Sequence, residues 1–357
     1  MKEKSAKPRL LIVSPPSFKS SHSMKIYKRH LIDVAKEDYY VDSYKWELID
    51  SSQTSIKYRF NKYCKSRYNL NKYGSPNIQH VTDQSFAHLY NKNANLNILT
   101  IHDVIPIIAY KNKLLKKRSR PPLFFNYVSY FFKKFDKIIT PSITTKMYLL
   151  DLFKMSEESV IVVNNAVEGD LVIEEKFSGI HVLMIGDTFY KNSQNAIEAI
   201  DLFSKSEGIK IKIHWVVNSR DYSETIKEIF AKNKHLEIKT YINLTRLEIL
   251  NLFRCCSVLL FPSLLEGFGF PIIEAMRNRL PVITTKYGAT FEVASNHCFL
   301  VEPSSAESIS KGLNDFYNID GEVLDEMLEK AYLHSLEFNL NRFKEEILSV
   351  YKDQSIY

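Results

Sequence analysis

The sequence predicts an α/β protein of two doubly wound domains, on three observations. Short apolar runs alternate with amphipathic stretches of helical period, the pattern of parallel strands covered by helices on both faces. The series breaks at a polar, acidic stretch near residues 168–178 and then starts again. The chain has 357 residues, enough for two domains at roughly 100–200 residues each.

In the first series, residues 10–13, 98–101, 137–140 and 160–163 read as buried strands, and residues 24–36 and 144–153 as helices. In the second, strands at 181–185, 210–217, 236–240, 258–261 and 281–284 alternate with helices at 191–206, 222–232, 245–255 and 269–277. The remainder from Ala306 reads as helices, the last amphipathic one over 338–351. The expected domains are therefore 1–167 and 168–337, with a helical segment over 338–357 for which a return to the first domain is one option.

Composition excludes several classes. Lys and Arg number 48 against 41 acidic residues, a formal charge of +7. That favours anionic partners without choosing among them. The basic residues are mostly scattered and form no nucleic-acid module, so no nucleic-acid partner is expected. Only 10 glycines occur, and neither a G-x-G-x-x-G nor a P-loop pattern is present. The four cysteines, Cys64, Cys255, Cys256 and Cys298, contain no C-x-x-C pair. They read as reduced thiols of a cytoplasmic protein, without a metal site. No secretory leader and no membrane-spanning run of 18 apolar residues is seen.

One stretch departs from the regular alternation. From Lys111 to Arg120 it is strongly basic, and from Leu123 to Phe135 it is rich in Phe and Tyr. It reads either as a solvated loop followed by a core helix or as a patch for an anionic membrane surface. The second reading would place the protein peripherally on the inner face of the membrane.

The most informative segment is FPSLLEGFGFPIIEAM, from Phe261 to Met276. A strand ends at Pro262, a loop carries Glu266, Gly267, Phe268 and Gly269, and a helix then starts with Pro271 in its first turn, where a missing N–H costs nothing. Amides at such a helix start suit a diphosphate. Gly267 and Gly269 allow close approach of the main chain. Glu266 and Glu274 are spaced so that the turn can aim both carboxylates into one cleft, where each can accept hydrogen bonds from paired hydroxyls. The alternative for Glu274 is an ordinary exposed helix residue.

This segment resembles the E-x7-E signature of retaining glycosyltransferases of family 4. The flanks extend the resemblance over roughly residues 96–320: IHDVIP from Ile101, ITPS from Ile139, VIVVNNAV from Val160, HVLMIG from His181 with Lys191 and Asn192 after it, LPVIT from Leu280, and GATFEV from Gly288. The His-Asp phrase is similar to that of bacterial mannosyl- and rhamnosyl-transferases of surface polysaccharides.

The resemblance implies the GT-B fold, two Rossmann-like doubly wound domains facing a central cleft. It makes 1–167 the acceptor domain and 168–337 the nucleotide-sugar donor domain. It implies transfer of a hexose or deoxyhexose with retention, from a nucleotide sugar with GDP-mannose favoured, to a saccharide or lipid-linked acceptor. No cofactor and no metal are implied. Catalytic roles fall on Glu266, at the donor sugar's hydroxyls, on Lys191, at the leaving diphosphate, and on His102, lining the sugar pocket. Glu274 would bind the ribose, the amides of Gly267, Phe268 and Gly269 the sugar and diphosphate, and Tyr241 and Ile242 would lie near the base. Asn192 and Asp103 complete the donor set. Lys191 could instead be a solvated helix-start residue, and His102 and Asp103 a structural pair. The basic residue that the family carries after the strand glycine is absent, with Asp187 in its place. The competing functions are a nucleic-acid binder or modifier and a non-catalytic subunit on the same fold.

Overall fold

The computed structural model describes residues 7–16, 22–46, 61–111, 129–169, 176–218 and 224–353. The chain divides into two compact units, Met1–Ala166 with Leu340–Tyr357, and Val167–Asn339.

The first unit holds a six-stranded parallel sheet of β1 (Arg9–Val13), β2 (Tyr40–Ser43), β3 (Ile78–Val81), β4 (Leu96–Thr100), β5 (Lys137–Thr140) and β6 (Val160–Val162), in spatial order β2-β1-β3-β4-β5-β6. Two of these strands, β2 and β3, escape a reading by apolar runs. β2 is an edge strand of sequence YVDS with a half-exposed face. β3 is fully buried, yet its centre is Gln79 and His80. Most buried polar groups are hydrogen-bonded. Here Gln79 Nε2 donates to Leu89 O at 2.7 Å, and His80 bonds Tyr351 Oη and Thr100 Oγ1, each at 2.7 Å.

The helix Leu340–Tyr351 is part of this first unit. Phe343, Ile347, Val350 and Tyr351 recur at helical spacing and enter the core with Leu10, Ile12, Leu31, Ile78 and Ile98. Around that apolar stripe, Lys344 pairs with Glu37 (2.5 Å), Lys352 with Asp38 (2.8 Å) and Lys137 with Asp353 (2.8 Å).

The second unit holds β7 (Ile180–Ile185), β8 (Ile211–Val216), β9 (Leu236–Tyr241), β10 (Val258–Phe261), β11 (Val282–Thr285) and β12 (Phe299–Val301), all parallel, in order β12-β11-β10-β7-β8-β9. Successive side chains of a strand alternate between faces, and both faces are apolar here. Leu183, Leu259 and Phe261 pack with Phe253, Ile272, Ile273 and Met276 of the helices Arg246–Cys255 and Phe270–Arg277. Val182, Met184, Val258 and Leu260 pack with Ile197, Ile200, Phe203, Ile309 and Leu313 of the helices Ser193–Glu207 and Ala306–Asn318. Burial on both faces is why these strands read as continuous apolar runs.

Of the basic-aromatic stretch, residues 112–128 lie outside the described residues. The remainder corrects part of the membrane reading. Phe132 and Phe135 are buried and serve the core, whereas Tyr130 is 66% exposed beside exposed Lys133 and Lys134. Among the described residues no helix is long and apolar enough to cross a membrane. The four cysteines are free thiols.

Candidate active site

In the second sheet, strands run outward in chain order from β7 through β8 to β9 on one side, and from β10 through β11 to β12 on the other. The crevice beyond the carboxyl ends of β7 and β10 is the topological switch point, where open α/β sheets bind ligands. The loops after these two strands carry most of the residues singled out from the sequence.

Gly186 follows β7 with φ +95°. Its N–H donates to Val216 O (2.8 Å) and its carbonyl accepts from Trp215 Nε1 (2.8 Å), which fixes the turn. A Cβ at Gly186 would lie 2.8 Å from Lys191 Cγ. The absence of a side chain therefore lets the Lys191 stem lie across the backbone. A short 3-10 turn, Phe189–Lys191, ends at Asn192 in the left-handed conformation (φ 60°), and the helix Ser193–Glu207 begins after it. Asn192 is buried, and its side-chain amide donates to the carbonyls of Pro262 (3.1 Å) and Pro303 (2.6 Å). Leu264 N–H donates to Tyr190 O at 2.8 Å. The loop after β7 is thus tied to the loop after β10, and Asn192 belongs to that tie.

Lys191 Nζ reaches Glu266 Oε1 at 2.6 Å, with only 17% and 12% of the two side chains exposed. The ammonium also lies 4.5 Å from the centroid of the Phe261 ring, a cation–π contact. Gly269 caps the helix Phe270–Arg277 with φ +115°, and a Cβ there would press on Val293 Cγ2 at 3.1 Å. The Phe268 side chain is buried against Phe270 and Phe338, so only its backbone can meet a ligand.

Glu274, in that helix, is held by Arg246, whose Nη1 donates to Oε1 at 2.5 Å. Burial pushes the Glu274 carboxyl above the usual carboxylate range, and the Arg246 charge and hydrogen bond oppose that shift. Arg246 was not marked by any sequence motif. The available signal was its position: it opens the helix Arg246–Cys255 after a capping box of Thr245 and Glu248, and a cation is disfavoured in a first turn.

Tyr241, at the end of β9, bonds His214 Nδ1 at 2.7 Å, and His214 Nε2 lies 2.8 Å from His181 Nδ1. Burial raises the Tyr241 phenol to about 12 and, with the neighbouring His181, lowers His214 to about 4. Ile242 packs against the apolar cluster on the opposite face of the sheet.

His102 and Asp103 belong to the first unit, just after β4. The His102 ring nitrogen Nε2 lies 3.0 Å from Thr82 O, and the ring sits edge-on to Tyr27 at 4.8 Å. Burial depresses its pKa, partly offset by Asp83 and the Thr82 carbonyl. Asp103 Oδ1 accepts from Ile105 N–H (3.0 Å), opening the short helix Ile105–Lys111. The structure therefore joins Lys191 with Glu266 and gives Glu274 the partner Arg246, while Tyr241 is engaged by His214.

Residues 175–334, within the second unit, match the family model of the glycosyl transferases group 1. The O-antigen chain mannosyltransferase RfbU of Salmonella typhimurium is 24% identical over 242 residues, which cover 67% of this chain and 64% of that protein. An uncharacterized glycosyltransferase of Methanocaldococcus jannaschii is 24% identical over 196 residues, half of each chain. The chain thus spans less than two thirds of the length of these curated relatives. Among solved structures, the fold is similar to a glycosyltransferase from Rickettsia africae (TM-score 0.67, 19% identity, covering 97% of this chain and 98% of that one). It is also similar to sucrose-phosphate synthase from Thermosynechococcus elongatus (TM-score 0.77, 12% identity, covering 96% and 98%). These neighbours establish two Rossmann-like domains of the GT-B kind.

Proposed function

We propose that the protein is a nucleotide-sugar-dependent glycosyltransferase that moves a hexose or deoxyhexose with retention onto a saccharide or lipid-linked acceptor in surface polysaccharide synthesis. The observation that carries this reading is the Lys191–Glu266 pair, 2.6 Å apart at the switch point of a sheet inside the region matching glycosyl transferases group 1. A nucleotide sugar carries its charge on the diphosphate and its hydroxyls on the ribose and the hexose. A mostly buried ammonium suits the first and carboxylates suit the second. The similarity to the O-antigen chain mannosyltransferase of Salmonella supports a mannosyl donor, and GDP-mannose is the favoured candidate.

In the proposed reaction Lys191 leaves Glu266 for the diphosphate. Its charge then stabilises the leaving group as the glycosidic bond breaks, when negative charge on the oxygen grows. Glu266, released, accepts from hydroxyls of the donor sugar. Glu274 accepts from the ribose hydroxyls, and the amides of residues 267–269 at the helix start meet the sugar and diphosphate. The departing phosphate takes the acceptor's proton on the same face, so the reading invokes no protein nucleophile and no metal. The family resemblance assigns His102 and Asp103 to sugar contact.

The test is a transfer and hydrolysis assay across GDP-mannose, UDP-glucose, dTDP-rhamnose and ADP-glucose, with wild type and Lys191→Ala. Turnover of one nucleotide sugar that disappears in the variant is the expected result. Absence of turnover and of binding for all four overturns the reading.

A further inference from the structure

Arg246 sits where a helix disfavours it. The first turn of Arg246–Cys255 is already satisfied by Thr245 and Glu248, whose side chains cap each other's backbone N–H groups. A cation at that end meets the positive pole of the helix dipole. Something else must favour an arginine there, and Glu274 supplies part of the reason through the 2.5 Å bond from Nη1 to Oε1. That bond uses one of five guanidinium N–H groups. Among the described residues the side chain has no other hydrogen-bond partner, and 30% of it remains exposed. Oε2 of Glu274 likewise has no partner there. The pair therefore presents four spare donors beside one spare carboxylate oxygen, on the side of the sheet where β9 ends.

We infer that Arg246 contacts the nucleoside of the donor directly, as well as holding Glu274 in position. This rests on the donor-site reading above. The chemistry is complementary. A ribose hydroxyl can donate to the free Glu274 oxygen and accept from the adjoining guanidinium, while further N–H groups reach acceptor atoms of the ribose or base. Lysine cannot do this, because its single point charge lacks the planar fork. Arg246 would also supply a second cation, beside Lys191, to a site in which the residue after Gly186 is the acidic Asp187. Asp187 is itself engaged, accepting from the backbone and side-chain amides of Asn218 at 2.9 and 2.7 Å.

The experiment is a double-mutant series on the full chain, Arg246→Gln, Glu274→Gln and the pair, with GDP and UDP affinities measured by calorimetry and folding checked by thermal denaturation. Arg246→Gln should weaken nucleotide binding about 10- to 100-fold, the loss of charge-assisted hydrogen bonds. It should still weaken binding severalfold in the Glu274→Gln background. Arg246→Lys should keep the melting temperature of wild type and lose at least part of the affinity. If Arg246→Gln costs nothing once Glu274 is Gln, the arginine acts only through Glu274 and the inference is wrong. If Arg246→Gln lowers the melting temperature, Arg246→Lys decides alone, and wild-type affinity in that variant overturns the inference. If wild type binds neither nucleotide nor any other nucleoside diphosphate, the donor-site reading itself falls.

Discussion

Lys191 and Glu266 neutralise each other across 2.6 Å in a mostly buried setting. A diphosphate therefore has to compete with a carboxylate for the ammonium. Lys191→Ala should lower kcat by roughly a hundredfold, about 2–4 kcal/mol of transition-state stabilisation, and weaken donor binding less. Rapid-quench turnover set against equilibrium binding checks this, and normal turnover would move the catalytic charge elsewhere. Glu274 gives a pH prediction. Its folded-state pKa is raised by burial, so it protonates above the usual glutamate range as the solution is acidified. Nucleotide affinity should fall on that acid limb, and Glu274→Gln should abolish the limb while weakening affinity at neutral pH. Its stability effect has the opposite sense: the neutral carboxyl is favoured by the fold, and that contribution is lost as pH rises through the raised pKa.

At the scale of elements, the two glycine turns decide where the functional groups stand. Gly186→Ala puts a methyl 2.8 Å from the Lys191 stem on a backbone with φ +95°. The strain is worth about 1–3 kcal/mol, and the displaced lysine should lower kcat beyond what the reduced melting temperature explains. Normal kcat in a folded Gly186→Ala would show that the stem has another path. Much of this was legible beforehand. The strand ending at Phe261, the glycine loop and the helix with Pro271 in its first turn follow from apolar runs, glycine and proline. The tie from Asn192 to Pro262 and Pro303 was not, because a long-range side-chain bond leaves no period in a sequence. β3 was hidden for a related reason: Gln79 and His80 look like surface residues until the bonds of Gln79 Nε2 to Leu89 O and of His80 to Tyr351 and Thr100 are seen. Arg246 was concealed because only its misfit with the helix dipole marks it. The aromatic stretch before Phe135 misled in part, since Phe132 and Phe135 face the core. A membrane contact would fall to Tyr130, Lys133 and Lys134 together with the preceding basic segment. Binding to anionic vesicles should therefore be weak and lost at high salt, and co-sedimentation that persists at high salt would contradict this.

For the whole molecule, the doubly wound architecture was readable from the restart of the strand–helix series, whereas strand order was not, since spatial neighbours in a sheet need not be sequence neighbours. The division into two units, each with its own core, makes separate stabilities measurable. Nucleotide at 100 times its Kd should stabilise the second unit by about 2.7 kcal/mol. Phe343→Ala, which empties a fully buried site in the first unit, should destabilise that unit by about 3–5 kcal/mol. Calorimetry should show ligand and mutation acting on different transitions, and a shift of one common transition by both would show that the units unfold together.

The helix Leu340–Tyr351 completes the first core although it is encoded after the whole of the second unit. During synthesis on the ribosome the strands of the N-terminal sheet therefore emerge early and wait, with the surface around Ile12, Leu31 and Ile98 still open. The second unit, continuous in sequence, can close first. This layout predicts that the usual N-to-C order of domain folding is reversed, the second unit gaining protease resistance before the first on a growing chain. The last helix acts as a late clasp, and the nascent N-terminal sheet is the stage at which a chaperone or a protease would find this protein.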